Sequence, residues 1–324
     1  MCGIIAAASN RQVGKLLVQG LHKMEYRGYD SAGIALHQGD KIAHLRALGK
    51  VQLLEEKMIA EKPKSKLGIA HTRWATHGEP SEANAHPHKS KDSVYIVHNG
   101  IIENYIELRE SLIKEGYSFT SQTDSELIAH LLDKHMGEGA SMTDAMYQAK
   151  EKLEGAYAIA AIDMNDDQKL VVARNKSPLL LGLGTDEFFA ASDPLAIAQH
   201  TNDFVFLEDG DVAELTANTY KVFDANQVEV EREVTHIDIT NQAMSKGDHK
   251  HYMEKEIYEQ PEAVMNTING RIGGDDVLDN IFGLGSSDLF AKVQRIQIVA
   301  CGTSLHAGRV AANWLSAIAD LPCQ

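Results

Sequence analysis

The sequence predicts an α+β fold, in which antiparallel sheets are covered by helices, followed by the first part of an α/β domain. Helical patterns are grouped between residues 104 and 153, whereas residues 156–223 form a series of short strand patterns separated by turn residues. Hairpin-linked strands with helices grouped apart are typical of antiparallel sheets, not of a doubly wound parallel sheet. After Ile239 the chain becomes polar, and one strand–turn–helix pattern follows near its end.

The elements of the first 240 residues follow from apolar periodicity. Residues 4–8 are a short apolar strand, and apolar residues from Val13 to Met24 recur at helical spacing. Further strands are predicted at 32–37, 42–48, 67–71 and 94–98, and helices at 104–115, 125–136 and 143–153. Thr123 and Glu126 form a capping-box pattern at the start of the helix at 125–136. The strand series that follows is 156–162, 170–173, 179–183, 188–191, 204–207, 212–215 and 220–223.

Residues 241–324 are predicted to contain a linker and the beginning of a second domain, which places the domain boundary at residue 240. Residues 240–250 are polar and typical of a linker. A helix at 250–260 continues past Pro261, and an apolar strand at 296–300 leads into a helix through Trp314. Because one strand and one helix cannot build a core, we expect the chain to be part of a longer protein.

Composition excludes several classes of protein. The net charge of −15 is spread along the chain, which argues against nucleic-acid binding. No apolar run approaches the ~20 residues of a membrane span, and the N-terminus lacks a signal-peptide pattern. Only three cysteines occur in 324 residues (Cys2, Cys301 and Cys323), which fits free thiols in a reducing compartment. We therefore expect a cytoplasmic protein without nucleic-acid or membrane partners.

Cys2 is the most informative residue. If Met1 is removed, Cys2 carries both a thiol and a free α-amine, whose usual pKa is near ~7.7–8.0, so that one residue supplies nucleophile and base. Gly3 leaves room beside the sulfur, and the apolar residues that follow would hold the terminus in a strand. The alternative is an incidental cysteine on a frayed chain end.

An attack on an amide requires donors for the developing oxyanion. Asn99 and Gly100 follow a predicted strand and offer a side-chain amide and a backbone N–H. The alternative is that Asn-Gly forms a tight turn, its commonest role.

A polar loop and one acidic residue suggest a binding site for a small charged molecule. The run from His71 to Gly78 contains Arg73, which suits a carboxylate, and Trp74, which can exclude water. Asp124, at a helix start, can pair with an ammonium group. Arg73 and Asp124 together could hold the two charged ends of an amino acid. The alternative is a polar loop anchored by one aromatic residue.

Two further patterns are weaker. His86 with His88 and His249 with His251 are close pairs, but neither has the spacing of a metal site, so we expect no metal and no cofactor. Thr303 and Ser304 lie between a predicted strand and helix and could cradle a phosphate, although Ser and Thr are also ordinary helix caps.

Together these segments resemble the class II glutamine amidotransferases, which are N-terminal-nucleophile hydrolases. The resemblance is carried by Met1-Cys2-Gly3-Ile4, residues 25–33, residues 71–78, residues 98–104 and Thr123-Asp124. The resemblance is closer to those members of the family that aminate fructose 6-phosphate to glucosamine 6-phosphate. Two segments carry this closer resemblance, residues 251–261 and Cys301-Gly302-Thr303-Ser304. The resemblance implies an αββα sandwich that hydrolyses L-glutamine, joined to a sugar isomerase domain.

The resemblance also implies roles for individual residues. Cys2 would be the nucleophile, Asn99 and Gly100 would form the oxyanion hole, and Arg27 would support the site. Glutamine would be bound through its carboxylate by Arg73 and through its ammonium by Asp124. The loops that close over glutamine would include Trp74, Thr76, His77 and His86, and the sugar phosphate would be bound by Thr303 and Ser304.

Only the first strand and helix of the family's isomerase part are present, so we expect this chain to release glutamate but to make no glucosamine 6-phosphate. The family implies a homodimer for the full-length protein. Two alternatives stay open: the same glutaminase with another acceptor, and a sugar-phosphate sensor without catalysis.

Overall fold

The computed structural model describes residues 2–237, 249–268, 272–273, 276–277 and 286–324. The chain divides into two compact units, Met1–Ser245 and Lys246–Gln324. Of the linker predicted at residues 240–250, the part from 240 to 248 lies outside the described residues.

The first unit is built on two antiparallel sheets. The strands are β1 (Gly3–Ser9), β2 (Ser31–His37), β3 (Ile42–Leu48), β4 (Leu67–Arg73), β5 (His88–Ser90), β6 (Val94–Ile102), β7 (Gly155–Asp163), β8 (Asp166–Asn175), β9 (Leu180–Leu183), β10 (Glu187–Ala191), β11 (Asp203–Phe206), β12 (Val212–Leu215), β13 (Tyr220–Phe223), β14 (Glu229–Val230) and β15 (Val234–His236). An eight-stranded sheet has the order β15-β11-β9-β10-β1-β4-β2-β3, and a seven-stranded sheet has the order β14-β13-β12-β8-β7-β6-β5.

Helices cover the outer face of each sheet. They are α1 (Gly14–Lys23), α2 (Val51–Glu61), α3 (Tyr105–Lys114), α4 (Glu126–Gly137) and α5 (Met142–Lys150), with short 3₁₀ turns at Glu25–Arg27 and Pro194–Ala196. Apolar residues of α1 and α2 pack on the eight-stranded sheet, and those of α3, α4 and α5 pack on the seven-stranded sheet. A third cluster fills the space between the sheets. The predicted αββα sandwich is therefore confirmed.

Strand β1 shows how this packing holds the start of the chain in place. Successive side chains of a strand point to opposite faces. Ile5 and Ala7 accordingly join the cluster under α1, whereas Ile4, Ala6 and Ala8 join the cluster between the sheets. All seven residues of β1 are buried, and the strand lies between β4 and β10. Cys2 precedes this strand and is therefore held by the core.

The second unit contains α6 (Tyr252–Ile268), β16 (Ile272–Gly273), β17 (Asp276–Val277), α7 (Ser286–Phe290) and α8 (Gly302–Ile318). Pro261 lies inside α6, so the helix does continue past it. The predicted strand at 296–300 is wrong. Only Ile296 forms a bridge, to Cys323, and residues 297–300 are irregular. A strand needs a ladder of paired residues, and here Ile296 is the one bridged residue of the five.

Two local predictions differ from the structure within the first unit. Helix α2 was not predicted, because it buries only Val51 and Leu54 and its apolar pattern is correspondingly weak. The capping box at Thr123 is also wrong, because the carboxylate of Glu126 accepts hydrogen bonds from the backbone N–H groups of Thr120 and Ser121. Glu126 thus fixes the preceding loop instead of capping its own helix.

Candidate active site

Cys2 lies at the end of the sandwich where β1 begins. Its Sγ accepts a hydrogen bond from the backbone N–H of Trp74 at 3.2 Å. Burial raises the pKa of the Cys2 thiol, and the Trp74 N–H opposes that rise because it stabilises the thiolate. The resting group is therefore a thiol, which needs a base before it can act as a nucleophile.

Two cavities meet at Cys2 and share Trp74, Thr76 and Gly100 in their walls. The smaller, of about 10 Å³, is lined by Cys2, Arg73, Trp74, Thr76, His77, His86, His98, Gly100, Thr123, Asp124 and Ser125. The larger, of about 460 Å³, is lined by Cys2, Arg27, Trp74, Thr76, Asn99, Gly100, Ser177, Pro178 and Ser192. The sulfur thus faces a small polar chamber and a wider cleft.

Asn99 and Gly100 lie inside β6, paired with Ala158 and Tyr157 of β7, so the tight-turn alternative is wrong. The Asn99 Nδ2 donates to the Cys2 carbonyl oxygen at 3.4 Å. Gly100 has φ of +130°, and a Cβ there would lie 1.9 Å from the Ala156 carbonyl oxygen. Only glycine fits this position, where the backbone of β6 reaches the cavity wall.

Arg73 ends β4 and is almost fully buried. Its guanidinium donates to the carbonyl oxygens of His77 at 2.5 Å and Gly78 at 3.0 Å, and it lies 3.5 Å from the carboxylate of Asp30. Asp30 in turn accepts from the backbone N–H of Ala75 at 2.5 Å. Arg73 therefore lines the small cavity and also holds the loop that forms its rim.

Asp124 is buried and lines the same cavity. Its Oδ2 accepts from the backbone N–H of Ile102 at 2.8 Å, and its Oδ1 lies 3.8 Å from Nδ1 of His77. The two charged groups that the sequence suggested as a clamp, Arg73 and Asp124, therefore face one chamber.

The predicted loop residues differ in exposure. Trp74 is 53% exposed and packs over Gly28, where a Cβ would lie 2.8 Å from the indole ring. Thr76 is also exposed, and His77 packs edge-on against Tyr105. His86, by contrast, is buried in the cavity wall, and burial holds the pKa of its imidazole well below the usual range. His86 is therefore a neutral wall residue.

Arg27 lies in the 3₁₀ turn after α1 and lines the larger cavity. Its guanidinium donates to the Ser192 carbonyl oxygen at 3.4 Å and lies 3.6 Å from the carboxylate of Asp193. These contacts fix one wall of the cleft beside Cys2.

Thr303 and Ser304 lie in the second unit, in the first turn of α8, where both are exposed. They were predicted to lie between a strand and a helix, but both lie inside the helix and no strand directly precedes it. In the part of the chain that the structure describes, no three His, Cys, Asp or Glu residues are grouped as metal ligands. Among the same residues, no helix has the length and hydropathy to cross a bilayer.

Comparison with known proteins agrees with this geometry. Residues 71–199 match the family described as "Glutamine amidotransferase domain". The glutamine–fructose-6-phosphate aminotransferase (isomerizing) of Vibrio parahaemolyticus is 48% identical over 324 residues, which are 100% of this chain and 53% of that protein. The enzyme of the same name from Vibrio cholerae is 49% identical over 324 residues, with the same coverage. Residues 71–199 therefore belong to the glutamine amidotransferase domain family, and the chain as a whole is similar to these enzymes. It spans about half the length of the curated relatives it matches.

Solved structures support the fold of this amidotransferase domain. Glutamine phosphoribosylpyrophosphate amidotransferase from B. subtilis, complexed with ADP and GMP, superposes with a TM-score of 0.61 at 24% identity. The match covers 69% of this chain and 49% of that one. At this identity the likeness bears on the fold alone.

Sequence patterns missed several residues of the amidotransferase site. Ser192 follows β10 and reaches the site because β10 pairs with β1, and its Oγ accepts from the backbone N–H of Ile4 at 3.0 Å. Ser177 and Pro178 line the cleft from the segment between β8 and β9. No local signal marks these residues, because sheet pairing alone brings them to Cys2. Asp30 did have a signal, its place within the resembling segment 25–33.

Proposed function

We propose that this domain hydrolyses the side-chain amide of L-glutamine, with Cys2 as the nucleophile. The observation that carries the proposal is the meeting of the two cavities at Cys2, with a charged clamp in one and amide and guanidinium donors in the other. Amino-acid binding and amide chemistry need these two environments on either side of one reactive atom.

Activation of the thiol requires a base that the surroundings of Cys2 must supply. Removal of Met1 turns the backbone nitrogen of Cys2 into an α-amine, which can accept the thiol proton. The thiolate then attacks the glutamine amide carbon, and the α-ammonium returns the proton to the departing nitrogen as the C–N bond breaks. Ammonia leaves, a thioester remains, and water hydrolyses it to glutamate and the free thiol.

The clamp and the donors act at different stages. Arg73 binds the glutamine carboxylate and Asp124 its ammonium, so both hold substrate equally before and during the reaction. The Asn99 amide and the Gly100 N–H stabilise the negative oxygen that exists only in the tetrahedral intermediate. Loss of the clamp therefore raises KM, whereas loss of the donors lowers kcat.

In the whole protein we propose that the ammonia aminates fructose 6-phosphate, giving glucosamine 6-phosphate. Support comes from the name of the relatives, which are about 48% identical over the full chain. Thr303 and Ser304 would contribute to the sugar-phosphate site. We further propose a cytoplasmic homodimer for the complete protein.

Glutamate release from L-glutamine by the purified chain tests the proposal, with Cys2→Ala beside the wild type. We expect turnover in the wild type and none in Cys2→Ala. Cys301→Ala is the matched control, because it removes an exposed thiol of the second unit and should keep full activity. Intact mass reports removal of Met1, and only the form that begins at Cys2 should be active. Equal turnover by Cys2→Ala would refute the role of the thiol.

A further inference from the structure

His71 stands directly behind the proposed oxyanion donor. It lies on β4 and is fully buried, with its ring stacked on His86 at 4.1 Å between centroids. Its Nε2 is 2.9 Å from the Oδ1 of Asn99. The proposed mechanism of amide hydrolysis does not use the His71 imidazole.

The direction of the hydrogen bond follows from the groups around Asn99. The Cys2 carbonyl oxygen, 3.4 Å from Nδ2, can only accept, so the NH₂ end of the amide faces Cys2. The Oδ1 end then faces His71 and can also only accept, which requires the proton on Nε2 of His71.

The charge state of His71 agrees with one proton at that nitrogen. Burial lowers the pKa of His71 to about 3, so the ring is neutral at physiological pH and carries a single proton. The backbone of His98 also interacts with the ring, but Nδ1 makes no hydrogen bond of ordinary geometry. The well-formed bond to Asn99 therefore decides where the proton resides.

We propose that His71 is a positioning residue for amide hydrolysis, which locks the Asn99 side chain so that its N–H groups face the oxyanion that forms beside Cys2. The inference rests on the proposed function. An asparagine amide has two orientations of nearly the same shape, related by a half-turn. In the wrong one, Oδ1 would face the oxyanion and repel it. His71 excludes that orientation, because a flipped amide would turn N–H groups toward the protonated Nε2.

Steady-state kinetics of His71→Leu, which cannot donate, and His71→Gln, which can, test the assignment. Loss of one oxyanion donor costs about 10²–10³-fold in kcat, which is the upper limit for a positioning residue. We expect His71→Leu to lower kcat by about 10- to 100-fold with little change in KM, and His71→Gln to recover much of the loss. His135→Leu is the matched control, since His135 is a buried histidine in the last turn of α4, where its Nδ1 lies 3.2 Å from the carboxylate of Glu138.

A double-mutant cycle separates positioning from simple filling of the core. In an Asn99→Ala background there is no amide to orient, so His71→Leu should have almost no further effect on kcat. Equal fold-losses in both backgrounds, or a loss confined to KM, would overturn the proposal. Loss of wild-type turnover itself would instead count against the glutaminase function.

The ¹⁵N NMR spectrum of the wild-type protein tests the same assignment without any variant. We expect the Nε2–H tautomer for His71. An Nδ1–H tautomer would mean that the Asn99 amide is flipped, and would overturn the proposal even if His71→Leu failed to fold.

Discussion

Gly100 is the position where one added methyl group should disable the proposed chemistry. In Gly100→Ala the new Cβ would lie 1.9 Å from the Ala156 carbonyl oxygen, whereas real Cβ contacts are essentially never closer than 3.0 Å. The obstacle is backbone of the neighbouring strand β7, not a flexible side chain. Strand β6 must therefore move by about 1 Å, and the Gly100 N–H must move with it.

The size of the effect follows from that displacement. A misplacement of about 1 Å at a catalytic group can cost about 10²-fold in rate, and full loss of an oxyanion donor about 10²–10³-fold. We expect kcat for glutamate release to fall by about 100-fold, with KM changed far less because Arg73 and Asp124 stay in place. Overpacking of this kind lowers the free energy of unfolding by about 1–3 kcal/mol, and each kcal/mol lowers Tm by about 2–4 °C in a domain of this size.

Gly116→Ala is the matched control for this prediction. Gly116 also has a positive φ, +95°, but a Cβ there would meet nothing within 4 Å. The Gly116→Ala protein therefore shows how much activity and stability are lost through the positive φ alone, without a steric clash. Glutamate release and thermal unfolding are measured for both variants. A Gly100→Ala protein that keeps wild-type kcat, or loses no more than Gly116→Ala, would refute the reasoning.

Two further predictions concern stability. Burial lowers the pKa of His44 to about 4, below its usual 6.5, so the unfolded state takes up the proton first as pH falls. The contribution of His44 to the free energy of unfolding should then decrease from pH 6.5 to 4, by less than about 1.4 kcal/mol per unit because the ring is only partly buried, and the buried His71 and His86 add losses of the same sign. His44→Asn should flatten that slope in urea unfolding, and identical slopes would contradict the assignment. Arg232 donates to both oxygens of the buried Asp211 at 3.0 and 2.8 Å. Arg232→Ala should therefore cost about 3 kcal/mol, because it leaves a buried charge unpaired. Lys221→Ala, in an exposed pair, should cost less than about 1 kcal/mol, and equal losses in the two variants would refute the distinction.

Local periodicity was sufficient for most of the first unit. The continuous apolar run of β1 and the helical spacing after Val13 are properties of short segments, and the structure contains both elements. Periodicity failed where burial is slight, as in α2, and where an apolar segment pairs through a single bridge, as at residues 296–300. In both cases the deciding energy comes from contacts with distant parts of the chain.

The same division applies to the site. Cys2, Arg73 and Asp124 were recognisable because their chemistry stands out in sequence. That Arg73 and Asp124 line one cavity depends on the tertiary fold, which brings the end of β4 and the segment before α4 to the same site.

Asn99 shows most clearly what the local sequence cannot predict. In sequence, Asn-Gly is a turn, but pairing with β7 makes it strand, and burial beside His71 fixes the direction of its amide. Short-range preferences identify reactive residues and periodic segments. Strand pairing and burial decide what those residues face, because hydrogen-bond direction and desolvation depend on neighbours that are far away in the chain.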